Sequence, residues 1–165
     1  MKKILRYGLY ALMALFAPLA FQSCNDAKDI VLITEDLPLI VSHLYMVGDA
    51  TPNGWDLGNA TPMTQSVSAP NVFEWSGYLN TGELKFSADR QSDWNGAWFM
   101  ATSEGEAPTG SVQHVLFINK SDKACQEQYK DIAVGGVDYK WKIDAAGNYT
   151  VTLNQLLQEV TIARK

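Results

Sequence analysis

Three tryptophans in this 165-residue chain sit in stretches that read as loops. Residues 90–101, RQSDWNGAWFMA, set Trp94 and Trp98 among Ser, Asp, Asn and Gly. Residues 51–63, TPNGWDLGNATPM, set Trp55 among Pro, Gly and Asn. Turn-rich segments are polar because their backbone stays in water. Large apolar rings there either tuck beneath their own loop or present a flat face for stacking. A pyranose ring suits such a face, since its C–H side carries a slight positive charge and the indole face a negative one. The ring-edge hydroxyls then need polar partners. Lys85, Arg90 and Asn95 can donate, and Asp89 and Asp93 can accept. Trp94 and Trp98 compete for the role of second stacking face, because one loop holds both.

The same loops carry Asp56, Asp89 and Asp93. Two carboxylates flanking a cleft are what glycoside hydrolysis requires. Loop carboxylates beside Gly and Asn are, however, usually solvated turn formers. His43 and His114 fall in strand-like stretches and suggest no Ser/His/Asp arrangement. The residues therefore predict a binding protein and not an enzyme. DATPNGWDLGN lacks the spaced ligands and final Glu of an EF-hand, so no metal or cofactor is expected.

Strand-like patterns frame these loops. In FEWSGYL, Phe73, Trp75 and Leu79 share one face, and Glu74, Ser76 and Tyr78 the other. In ELKFSAD, Leu84, Phe86 and Ala88 alternate with Glu83, Lys85 and Ser87. DYKWKID alternates Tyr139, Trp141 and Ile143 with Lys140 and Lys142, and NYTVTL alternates Tyr149, Val151 and Leu153 with threonines. This is the period of a strand with one face in a core. HLYMVGD is a shorter apolar run closed by Gly48. The segments NGW, NTGE, WNG and AAGN supply turns. About seven or eight short strands at this spacing predict an all-β fold, an antiparallel β-sandwich. Its core would hold Phe73, Trp75, Phe86, Trp141, Ile143 and Tyr149. By alternation Lys85 points away from that core, on the strand that runs into the second tryptophan loop. SDKACQEQYKDI comes nearest to a helical period.

The amino terminus is of a different kind. Lys2, Lys3 and Arg6 precede an apolar run from Tyr7 to Phe21, too short for a membrane span of ~20 residues and suited to a secretory signal. It ends in LAFQSC, which resembles a bacterial lipobox. The resemblance implies cleavage before Cys24 and lipidation of that residue; ordinary signal cleavage or an uncleaved anchor are the alternatives. Residues 1–23 are read as signal peptide, 24–42 as lipidated Cys and tether, and 43–165 as the folded domain. Removing residues 1–23 takes away three positive charges and no negative ones, moving the formal charge from −5 to −8. So acidic a protein is a poor nucleic-acid binder and would be held at the membrane by acyl chains. With Cys24 lipidated, Cys125 has no disulfide partner.

The order of motifs LYMVGDATPNGWDLGNATPM, FEWSGYLNTGELKF and DWNGAW resembles the starch-binding modules of glucoamylase type. With the closing KWKID–G–Y–VT it resembles still more the glycan-binding domains of Bacteroidetes SusE/SusF-type outer-membrane lipoproteins, over roughly residues 44–165. The resemblance implies an immunoglobulin-like sandwich and a polysaccharide ligand, with an α-glucan such as starch favoured. It implies a sugar site of Trp55, Lys85 and Trp94, with Trp98 as the competing match for the last. It also implies an outer-membrane, cell-surface lipoprotein serving glycan uptake. The alternative is a lipoprotein that docks on an outer-membrane transporter without binding sugar, its loop tryptophans marking a protein interface.

Overall fold

The computed structural model describes residues 41–91, 94–123, 127 and 137–165. The signal-like segment, Cys24, the tether, Asp93, Cys125 and most of SDKACQEQYKDI lie outside the described residues.

The described residues form two antiparallel sheets packed as a sandwich. The strands are β1 (Tyr45–Val47), β2 (Thr61–Pro62), β3 (Thr64–Gln65), β4 (Val72–Leu79), β5 (Gly82–Ser87), β6 (Ala97–Met100), β7 (Val112–His114), β8 (Leu116–Asn119), β9 (Trp141–Ile143), β10 (Gly147–Asn154) and β11 (Glu159–Arg164). One sheet runs β3-β4-β10-β11-β7. The other runs β2-β1-β5-β6-β8, with β9 also paired to β5. The long strands β4 and β10 pair from Val72–Asn154 to Leu79–Gly147. Their alternation puts Phe73, Leu79, Tyr149, Val151 and Leu153 against Leu84, Phe86, Phe99, Trp141 and Ile143 of the facing sheet. Of the six core residues expected from the sequence, five are buried. Trp75 is half-buried at the edge of the core. Its indole lies across Gly77, where a Cβ would meet the ring at 2.5 Å.

The β5-containing sheet is apolar on both faces, and this decides where the polar candidates go. Its outer face carries a second cluster of Val47, Leu57, Ala60, Trp98, Met100, Ile118 and Val137, with Tyr45, Trp94, Leu116 and Tyr139 packed against it. One expectation is corrected here. Trp98 is not a loop residue: it belongs to β6, opposite Ser87 and Ile118, and is fully buried. Lys85 does point away from the main core, as its alternation requires, but the face it joins is covered by the second cluster and leaves it 2 % exposed.

The first tryptophan loop is a closed backbone structure. Gly48 N–H donates to Gly54 O (3.0 Å), Thr51 N–H to Gly48 O (2.9 Å) and Gly54 N–H to Thr51 O (3.2 Å). Gly48 has φ +144, and a Cβ there would lie 2.0 Å from Glu83 O, so only glycine fits. Asp56 then caps the 3₁₀ turn Leu57–Asn59, accepting from Asn59 N–H at 3.3 Å. That is the turn-forming role expected of a loop carboxylate beside glycine.

Candidate functional site

The loops that follow β1 and β5 meet on the outer face of the β5-containing sheet. Arg90 clips one to the other: its guanidinium donates to Ala60 O and lies 4.4 Å from the centroid of the Tyr45 ring. Ala88 N–H donates to Ala97 O (2.9 Å), closing the second loop at the mouth of β6. Asp89 is spent on that loop, accepting from Gln91 N–H at 2.8 Å.

This closure brings Trp55, Trp94 and Trp98 into one graded stack. Trp98 lies at the bottom. Trp94 stacks on it, 3° from parallel with centroids 5.6 Å apart. Trp55 tilts against Trp94 at 48°, centroids 6.3 Å apart, and is 38 % exposed. Trp94 is half-buried and has φ +69, a left-handed conformation that bulky residues seldom adopt. Trp55, Asp56, Leu57, Gly58, Arg90, Gln91 and Trp94 line an open groove of about 400 Å³. Asn95 is exposed beside Trp94. Of the residues nominated from the sequence, Trp55, Trp94 and Arg90 therefore line one groove. Trp98 and Lys85 are buried beside it.

Sequence reasoning missed the charge cluster beside the stack. Lys85 Nζ lies 4.2, 5.2 and 6.0 Å from the ring centroids of Trp98, Trp94 and Trp55, and donates a hydrogen bond to Asp138. The same carboxylate is 3.4 Å from Lys120 Nζ and 3.4 Å from Lys140 Nζ. Lys140 also donates to Asp138 O at 2.9 Å and faces Glu104 at 3.5 Å. Burial pushes the Asp138 carboxyl up, but the hydrogen bond and charge of Lys85, with Lys120 and Lys140, outweigh it and hold Asp138 below the ordinary carboxylate range. Burial pulls Lys85 below its ordinary value despite Asp138. Burial also opposes the charge on Lys140, yet Asp138 and Glu104 raise it above the ordinary value. The available signal was the pattern DYK, which puts Asp138 and Lys140 on the face opposite Tyr139.

Neighbouring aromatic faces, with polar groups at the rim, suit a flat ligand of low charge. Among the described residues no group of three His, Cys, Asp or Glu side chains could hold a metal ion. Residues 43–163 match the family described as SusF/SusE starch-specific CBMs, that is, carbohydrate-binding modules. The chain belongs to the SusF/SusE family. That family is non-catalytic. The crystal structure of SusF from Bacteroides thetaiotaomicron shares the fold, with a TM-score of 0.54 at 15% sequence identity over 77% of this chain. This SusF/SusE chain spans 25% of that one. No curated protein matches it.

Proposed function

We propose that this SusF/SusE module binds starch or a related α-glucan without catalysis, and that a lipid on Cys24 holds it at the outer-membrane surface to capture glycan for uptake. The pair Trp55–Trp94 carries the reading. Two indoles inclined at 48° over a shared groove form a bent platform, and an α-glucan is a curved chain. Arg90 lines the groove and Asn95 is exposed next to Trp94 in the chain, so both are candidates to meet ring-edge hydroxyls. Membership of a family described as starch-specific supports the ligand class.

A stacking contact contributes about 1 kcal/mol beyond area burial, and association costs several. A dissociation constant between about 10 μM and 1 mM is expected for maltoheptaose. Because that ligand is neutral, affinity should hold between low and moderate salt. Titration of tryptophan fluorescence, with starch-containing affinity gels alongside, tests this. No retardation by any α-glucan, together with no protection of tryptophan from quenching, would favour a transporter-docking lipoprotein. A steep loss of affinity with salt would point to an anionic glycan instead.

A further inference from the structure

We propose that the glycan site does not end at the groove: a strip of His43, Tyr45 and Pro62 along β1 and β2 forms a second subsite, which takes further sugar residues of an α-glucan already seated on Trp55 and Trp94. This deepens the proposed function and rests on it.

The strip adjoins the groove. Tyr45 packs against the same outer-face cluster as Trp94. Arg90 belongs to both places: it lines the groove, and its guanidinium lies 4.4 Å from the centroid of the Tyr45 ring. The wall of the groove and the Tyr45 ring are therefore neighbours. His43 extends the surface. Its ring is 8° from parallel with that of Tyr45, with centroids 6.4 Å apart. On the other side, Pro62 stands directly opposite Tyr45 in the register of β1 and β2. Directly opposed residues of an antiparallel pair put their side chains on one face. His43 and Pro62 are exposed and Tyr45 is half-buried, so the strip is open along its length.

Its chemistry suits a sugar. Flat rings accept the C–H face of a pyranose, and the ring edges carry polar atoms for its hydroxyls. Ser42 Oγ lies 3.0 Å from His43 Nδ1, which leaves Nε2 as the ring nitrogen for a ligand hydroxyl. A polymer that leaves the groove must continue over neighbouring surface. Once one part of the chain is seated, a further contact is made at high effective concentration, so a weak subsite still raises affinity. The simpler role for the same rings is to prop Arg90. That role would affect short and long glucans alike, whereas a subsite affects only those long enough to reach it.

Maltotriose probes the Trp55–Trp94 platform, and maltoheptaose probes platform and strip together. His43→Ala removes an exposed ring, so the fold should hold. It should lower maltoheptaose affinity about threefold and cut the ratio of maltoheptaose to maltotriose affinity by the same factor. Trp55→Ala should weaken both ligands. Proton magnetic resonance of the full chain gives a second reading. The chain has two histidines, His43 and His114, and His114 lies on β7 of the other sheet. Maltoheptaose should shift the His43 ring signals and leave those of His114 in place, and maltotriose should shift neither. Equal loss of both ligands in His43→Ala would show that the ring only props Arg90 and would overturn the subsite. Unchanged affinity for both would overturn it too. Wild-type binding of both sugars with the His43 signals unmoved would remove the subsite and leave the proposed function standing. Binding of neither sugar would remove the proposed function, and the subsite with it.

Discussion

The three tryptophans nominated together from the sequence have three different jobs, and burial separates them. Trp55 stands at the groove with little packed over it, Trp94 leans on a neighbour, and Trp98 is part of the sheet. Substitution should split them accordingly. Trp55→Ala removes a stacking face and should lower maltoheptaose affinity about tenfold or more, with the melting temperature nearly unchanged. Trp98→Ala empties a fully buried site and should destabilise the fold by ~3–5 kcal/mol, which denaturant titration would register. Equal thermal effects from the two would contradict the division into platform and base. Lys85→Ala belongs with the base: alternation suggests a dispensable surface lysine, but the loss of its packed stem and of the Asp138 partner should lower the melting temperature. The sequence revealed which residue types gather at the site. It did not reveal their depth, because depth depends on a second layer built from distant segments, Leu57, Ile118 and Val137.

The strands easiest to read from the sequence are those with one polar face. β4 and β10 alternate cleanly because their outer sides carry Glu, Ser, Tyr and Thr, and β9 does so through Lys142. β6 and β8 are apolar on both sides, so AWFM and LFIN offer no contrast of period two. AWFM followed by Ala101 was still legible as a short continuous apolar run. Glycine and asparagine just before it drew the whole stretch into the loop and put Trp98 there. At the same scale, the first tryptophan loop depends on one backbone position. Gly48→Ala would force a Cβ into Glu83 O at a φ that L-residues avoid. The expected cost is ~3 kcal/mol, with weakened glucan binding as Trp55 loses its support. A variant as stable as wild type would show that β1 and β5 can separate without cost.

At the scale of the whole molecule, the proposed groove would offer a large polymer only a modest site. A single platform of about 10 μM to 1 mM affinity releases its ligand quickly. Many copies confined to one membrane could engage one glucan chain together, each further contact being made at high effective concentration. The proposed lipid at Cys24 is what would confine them, since an acidic chain has no attraction to anionic lipid. Cys24→Ala should therefore accumulate uncleaved precursor and abolish lipid labelling, because the thiol is the acyl acceptor. The variant's intrinsic affinity for maltoheptaose should not change, as the groove is lined by Trp55, Asp56, Leu57, Gly58, Arg90, Gln91 and Trp94. Retention of starch polymer by intact cells should fall far more than that oligosaccharide affinity. Lipid labelling and membrane partition of the Cys24→Ala protein equal to wild type would remove the anchor from this account. Unchanged polymer retention with labelling lost would mean that capture does not depend on clustering.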